Sequence, residues 1–435
     1  MKKIFQYIML AVVTIVMASC TSDIEETTAT TGKSNVQLVV GEFPAFGDSQ
    51  TRAIGTPDEG KTSWAEGDEL LLEMTSKTLG TKYAAFKYNG SSWELASGEL
   101  SYKEDEVPTF PHVYYAPNYK WEAGKLVLKE GKVEGTDEYI EGKANITPNG
   151  EGINVSFADA TRNYSRLRIA TMPNMPITVA FNNRYTPAGS SVNAFFPRYT
   201  LTSDEKGNAY LYGTFGQYCD FEVKYEGAPL ASHTFYQAAE NAKSYVLDAT
   251  VVSLADEGLT FDQIVEDVKK ELYAGKTYIN LILAPNADKN TLDAIYYGLR
   301  DARQGSINLT LIGCKKIPYE GFKHFDMLKS IALPDVTEIA EKAFLDCTRL
   351  QKVVLGNLTK VYGKAGEKGI FEGCRTKDID LILSKDQKVM NGGKTEGGYC
   401  WTADITKDYS GSDEHNGRVF LNYDFQSITC DYQVP

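Results

Sequence analysis

The chain has few of the residues that carry catalysis and metal binding. Its 435 residues include only 4 His, and none of them stands beside a recognisable nucleophile motif. The sequence holds no GxSxG, no HExxH and no phosphate-binding glycine loop, and its 7 Cys form no CxxC pair. These absences argue against the familiar hydrolases, nucleotide-binding proteins and zinc modules. We therefore expect a protein that is not an enzyme and holds no cofactor or metal.

Positive charge and long apolar runs are also scarce. The chain has 45 Lys and Arg against 58 Asp and Glu, so its net charge is −13, which disfavours nucleic acid as a partner. An apolar run at residues 4–17 follows Lys2 and Lys3, and it is too short for a comfortable membrane span. This pattern predicts a secretory signal at residues 1–19. With 42% hydrophobic residues, most of the remaining chain should fold into two or three domains.

Two small residues and then Cys20 close the signal, an ending that resembles a bacterial lipoprotein box. The resemblance implies that Cys20 is the lipidated N-terminus and that the chain is anchored in an outer membrane. Acidic residues follow Cys20 and resemble the surface-export signal of Bacteroidetes lipoproteins, which implies that the protein faces the cell exterior. A solvated acidic tether is the alternative interpretation. Residues 20–34, acidic and then rich in Thr, are predicted to be a flexible tether.

From residue 36 to about residue 250, short alternating apolar segments are separated by turn residues such as Asn89-Gly90. The first segment alternates Val36, Leu38 and Val40. This pattern is typical of β-sandwiches. We predict two tandem modules, at residues 35–145 and 146–252.

Four segments in this part resemble, in their order, the fimbrillin (Mfa-like) family of Bacteroidetes surface proteins. They are TRA at 51–53 with WAEGDE at 64–69, YYAP at 114–117, SRLRI at 165–169 and KSYVL at 243–247. The resemblance implies two transthyretin-like β-sandwiches, a role in fimbriae or adhesion, and fimbrial subunits as partners. It also makes the Arg52–Ala53 bond a candidate processing site, with an uncut exposed loop as the alternative.

At residue 258 the period of the apolar residues changes. Thr260 and Gln263 form a predicted capping box, and an apolar face follows it at helical spacing until Gly275. A strand at 279–283, a second helical face at 292–299 and a strand at 307–312 come next. Strand, helix and strand at this spacing predict a parallel sheet.

The segment at residues 307–383 repeats itself. The stretch from Leu328 to Pro334 is matched by the stretch from Leu350 to Gly356, and Phe322 precedes Phe344 by the same step. A period of about 20–29 residues with a short apolar strand indicates a leucine-rich solenoid whose units stack around one core.

The pattern resembles the BspA-type leucine-rich repeat of bacterial surface proteins, which implies a leucine-rich-repeat domain at residues 253–435. We expect closing strands near 419–421 and 428. The predicted repeat core comprises Phe322, Leu328, Ile331, Leu333, Phe344, Cys347, Leu350, Val353, Leu355, Phe371 and Cys374.

A few residues suggest other chemistry. Asp378 and Asp380 are a candidate cation pair but are more typical of a solvated surface. Cys400 and Cys430 are a candidate disulfide outside the cytoplasm. The four Trp are candidate sugar-stacking residues, although we expect two of them, Trp64 and Trp93, in the sandwich core. These Trp are Trp64, Trp93, Trp121 and Trp401.

The sequence therefore predicts a mainly β protein with a smaller α/β part: two sandwiches followed by a short solenoid. The first functional hypothesis is a surface lipoprotein that acts as an adhesin or as an accessory or tip-type fimbrial subunit, with an extracellular protein as its partner. The alternative is a glycan-binding lipoprotein of a polysaccharide uptake system.

Overall fold

The computed structural model describes residues 36–432 except 45, 49–59, 104, 143, 150–151, 158–161, 191–195, 257, 362–368, 385–386, 388–418 and 422. This part of the chain is mainly β, with a smaller helical contribution. No helix in it is long and apolar enough to cross a membrane. The predicted signal, the tether, Cys20, Arg52, Ala53, Cys400 and Trp401 lie outside the described residues.

The first unit packs two sheets against each other. The strands of residues 36–157 are β1 (Val36–Val40), β2 (Gly47–Asp48), β3 (Glu69–Ser76), β4 (Gly80–Tyr88), β5 (Trp93–Gly98), β6 (Thr109–Tyr115), β7 (Tyr119–Glu122), β8 (Lys125–Leu128), β9 (Ile140–Gly142), β10 (Asn145–Asn149) and β11 (Gly152–Phe157). One sheet of the first unit is antiparallel with the order β5-β4-β3-β6-β9, and the other has the order β1-β11-β10.

The strands at and just after the predicted boundary at residues 145/146, β10 and β11, lie in the same sheet as β1. β11 pairs in parallel with β1, and its alternating residues Ile153, Val155 and Phe157 are buried in the first hydrophobic core. A sheet buries one face through residues spaced by two, so removing β11 would expose this core. The first unit therefore extends to Phe157.

The second unit has the strands β12 (Ser165–Ala170), β13 (Pro176–Phe181), β14 (Tyr185–Pro187), β15 (Arg198–Thr202), β16 (Asn208–Phe215), β17 (Cys219–Tyr225), β18 (Ala228–Phe235) and β19 (Lys243–Asp248). They form two sheets, with the orders β14-β16-β12-β19-β2 and β15-β13-β17-β18. Short β2 joins this unit by pairing in parallel with β19, so the N-terminal segment runs from the first unit into the second.

The elements of the third unit are β20 (Val252–Leu254), α1 (Phe261–Tyr273), β21 (Tyr278–Leu283), α2 (Lys289–Leu299), β22 (Ile307–Ile312), β23 (Lys316–Ile317), β24 (Leu328–Leu333), β25 (Glu338–Ile339), β26 (Lys352–Leu355), β27 (Lys360–Val361), the 3-10 turn Thr376–Asp378, β28 (Asp380–Ser384), β29 (Val419–Phe420), β30 (Tyr423–Asp424) and β31 (Ser427–Tyr432). The unit is built on a parallel seven-stranded sheet with the order β20-β21-β22-β24-β26-β28-β31.

The predicted capping box at the start of α1 is confirmed: Thr260 accepts from the Gln263 backbone N–H, and the Gln263 side chain accepts from the Thr260 N–H.

The repeated residues of this unit stack on one another. The Phe322 and Phe344 rings lie 5.4 Å apart and those of Phe344 and Phe371 lie 4.9 Å apart, all nearly parallel and fully buried. The Cys347 thiol donates to the Phe322 carbonyl at 2.8 Å, and the Cys374 thiol donates to the Phe344 carbonyl at 2.9 Å. Each Cys thus links its own turn to the preceding one. Of the predicted repeat core, only Cys374 is partly exposed.

Candidate functional site

The second unit covers one face of the seven-stranded sheet. Ala228 at the start of β18 packs against Ala332, Val354 and Ile382, which point out of the sheet on neighbouring strands. All four side chains are at least nine-tenths buried. The second unit therefore covers this part of the sheet face.

Polar side chains from the sheet satisfy the backbone of the second unit at the same contact. Asn280 Nδ2 donates to the Leu230 carbonyl at 2.9 Å and to the Thr250 carbonyl at 3.1 Å. Thr310 Oγ1 donates to the Pro229 carbonyl at 2.8 Å. Pro229 and Leu230 lie in β18, an edge strand of its own sheet, so Thr310 and Asn280 supply hydrogen-bond partners to carbonyl groups of that edge. The two units are held together by matched polar and apolar contacts.

Lys276 adds a charged contact between the second and third units. Its ammonium lies 3.0 Å from Asp248 of β19, and it also pairs with Glu271 of α1. The Lys276 side chain is 12% exposed. Burial lowers the pKa of Lys276, but hydrogen bonds to Glu271 and Asp248 raise it, and the net direction is upward from 10.5. Charged Lys276 therefore stabilises the folded state.

Replacing Lys276 by Met should lower the free energy of unfolding by about 1–3 kcal/mol at pH 7, because Asp248 and Glu271 lose their cation. Because the pKa of Lys276 is raised in the folded state, the charged side chain contributes its full stability below the unfolded pKa, near 10.5. This contribution is lost as the pH rises through the folded pKa. The difference between wild type and variant should thus shrink above pH 10.5. Urea unfolding at pH 7 and again above pH 10.5 checks this. As a control, the substitution Lys270→Met at an exposed position should change the free energy of unfolding by less than about 0.5 kcal/mol. A difference that is constant with pH would contradict it.

The turns that precede β24 and β26, at residues 319–324 and 341–346, carry exposed side chains such as Tyr319 and His324, and we call them the turn face. Glu320 and Lys342 occupy equivalent positions of successive repeats with φ of 52° and 56°, as do His324 and Asp346 with 59° and 56°. These left-handed conformations are uncommon for residues with side chains and recur at equivalent turns. On this face His324 Nδ1 lies 3.6 Å from Asp346, and the Lys342 ammonium lies over the ring of half-exposed Tyr319 at 5.8 Å.

The segment before β2 ties the first two units together. Phe46 is buried, and the Arg162 guanidinium lies 3.8 Å from the centre of its ring. Arg162 forms two hydrogen bonds with the carboxylate of Glu138, at 2.9 and 3.0 Å, and both side chains are almost fully buried. Tyr164 donates its hydroxyl to the same carboxylate. An ion pair thus lies beneath the chain that crosses between the units.

The other candidates do not converge on one place. Trp64 and Trp93 are partly buried against the first core, and Trp64 Nε1 donates to the Gly41 carbonyl at 2.8 Å. Asp380 accepts a hydrogen bond from Ser427 at 2.5 Å, while Asp378 ends the short 3-10 turn. Among the described residues, no group of three or more His, Cys, Asp or Glu is placed to hold a metal ion.

Comparison with known proteins adds little. No protein-family model matches this chain, and no curated protein matches it. Among solved structures, 53% of the chain is similar to the Bacillus anthracis TIE protein, at 10% identity and a TM-score of 0.14. The chain covers 38% of that protein. A likeness at this level carries no argument about fold or function.

Proposed function

We propose that this chain is a cell-surface lipoprotein that acts as an adhesin or as an accessory or tip-type fimbrial subunit. In this proposal two tandem transthyretin-like β-sandwiches form a stalk, and a short leucine-rich-repeat solenoid is held at its end. The observation that carries the proposal is the docking of the second unit on the sheet of the repeats, through Ala228, Asn280 and Thr310. This contact fixes the orientation of the repeats on the stalk.

The turn face is the surface that we assign to an extracellular protein partner. It combines the polar side chains of His324 and Asp346 with exposed Tyr319, and Tyr is enriched in protein interfaces. The equivalent turns recur once in each repeat, so the face presents the same backbone geometry more than once. Regular spacing suits a partner that contacts successive turns.

Changing the turn face should weaken adhesion without unfolding the protein. We expect Tyr319→Ala combined with Lys342→Glu to reduce the attachment of cells displaying the protein by at least about tenfold, equivalent to about 1.4 kcal/mol. Attachment is counted on a panel of immobilised extracellular matrix and cell-surface proteins. Lys206→Glu, on an exposed turn of the second unit, is the matched control. Equal attachment by the double variant and wild type would reject the turn face as the partner surface.

The position of the repeats also predicts the assembly state. A subunit in a fimbrial shaft must donate a strand to its neighbour's sheet edge. In this chain β31 is already paired with β28 in the third unit. Protein lacking residues 1–20 should therefore run as a monomer in size-exclusion chromatography with light scattering, before and after limited cleavage at Arg52. Long homopolymers of the cleaved chain, with the repeats still folded, would contradict this prediction.

A further inference from the structure

A cleft lies where the first and second units meet. Its volume is about 320 Å³, within the range of about 300–1,000 Å³ found for small-molecule sites. The first unit contributes residues from and beside β9, and the second contributes residues from β14, β16 and the segment before β12. Its lining residues include Tyr139, Glu141, Asn163, Thr186, Gly189 and Thr214.

An aromatic ring is held in place in this cleft. The Tyr139 ring is supported by Tyr119 at 5.2 Å and by Tyr114 at 5.6 Å between centroids. Gly189 has φ of +87°, and a Cβ there would lie 2.6 Å from the Tyr139 ring and 2.7 Å from the Tyr119 hydroxyl. Glycine therefore lets this loop lie directly against the two rings. The Tyr119 hydroxyl is buried and has no hydrogen-bond partner within the described chain.

The polar groups of the cleft are neutral or negative. Glu141 is 46% exposed, and its carboxylate is oriented by His112 Nδ1 at 2.8 Å. Asn163 and Thr214 are exposed and supply an amide and a hydroxyl. Burial, with the nearby Glu141 charge, raises the pKa of Tyr139 to about 12, so its hydroxyl stays protonated at neutral pH. The described lining residues include no Lys or Arg.

We propose that this cleft binds one neutral sugar unit of a glycan. In this proposal the Tyr139 ring, which lines the cleft, stacks on the C–H face of a pyranose, and the carboxylate, amide and hydroxyl groups match its hydroxyls. An anionic ligand would meet the Glu141 carboxylate and no Lys or Arg among the described lining residues. A purely apolar ligand would displace water from the Asn163 amide and the Thr214 hydroxyl without replacing its hydrogen bonds. The proposal goes beyond adhesion through the turn face and does not depend on it, because the two use different residues.

The test is saturation-transfer NMR and titration calorimetry on protein lacking residues 1–20. The probes are the methyl glycosides of glucose, galactose, mannose and N-acetylglucosamine, with glucuronic acid and glucose 6-phosphate as charged probes. We expect at least one neutral glycoside to bind, and the charged probes to bind at least about tenfold more weakly. Tyr139→Ala and Glu141→Gln should each weaken binding by at least about tenfold, whereas Tyr236→Ala, 74% exposed elsewhere in the second unit, should not change it.

Two further variants allow the binding result to be interpreted if Tyr139→Ala impairs folding. Tyr139→Phe keeps the stacking surface and should retain most of the binding, and Gly189→Ala should abolish it by pushing a methyl group against the rings. Thermal melting of each variant separates loss of binding from loss of fold. No binding of any neutral glycoside, or binding that folded Glu141→Gln and Gly189→Ala leave unchanged, would overturn the proposal.

Discussion

Replacing Phe344 by alanine should lower the free energy of unfolding of the third unit by about 3–5 kcal/mol. Its ring is fully buried and stacks between Phe322 and Phe371, so truncation leaves a cavity in the middle of the repeat core. The two neighbouring rings come from different repeats, and collapse onto the cavity would require both turns to move. Urea unfolding followed by circular dichroism measures the loss.

Two variants bracket this result. Leu333→Ala, also fully buried, should cost about 2–5 kcal/mol, and exposed Lys329→Ala should stay within about 0.5 kcal/mol. If Phe344→Ala were as stable as Lys329→Ala, the stacked aromatic core would not be what holds the repeats together.

Replacing Arg162 by Met should cost about 3–5 kcal/mol, because Glu138 would remain buried without its cation. The variant also removes the guanidinium that lies 3.8 Å from the Phe46 ring. We therefore expect the segment before β2 to loosen, with faster amide exchange in β2 and β19. Unfolding curves and hydrogen exchange measure the two effects.

The double variant separates charge from packing. Replacing Glu138 by Leu in the Arg162→Met background should recover at least about half of the lost stability, because an apolar pair of similar size needs no solvation. Tyr164 would then lose its acceptor, which limits the recovery. A double variant no more stable than Arg162→Met alone would show that Glu138 is not the source of the loss.

The third unit was predictable where its pattern is local. The capping box at Thr260 and Gln263 could be predicted because both partners lie within one helical turn, and it is present in the structure. The step of the sequence repeat reappears in the pairing of Ser330 with Lys352, since each repeat aligns on the one before it. The next step is longer, because Lys352 pairs with Asp380, which lies further along the chain than a regular repeat would place it.

Contacts between distant segments were not predictable in this way. The alternating apolar residues of β11 indicate that one of its faces is buried. They do not indicate that β11 pairs with β1, which lies far earlier in the chain. The docking of the second unit is similar. Asn280 and Thr310 are polar residues within apolar strands, and that was the available signal that something covers this face. The cleft at Tyr139 depends on two units meeting, which no single segment encodes.

Surface labelling of intact cells tests whether the protein is lipid-anchored and exposed on the cell surface. Cells expressing the full chain, or its Cys20→Ser variant, are treated with a membrane-impermeant amine reagent, and labelled lysines are mapped by mass spectrometry. We expect the wild-type protein to be cell-associated, with labelled Lys323 on the turn face. We expect the Cys20→Ser variant to be released or mislocalised, with no lipid mass on its N-terminal peptide. Cell association that is the same for both proteins, or wild type that is never labelled on intact cells, would contradict it.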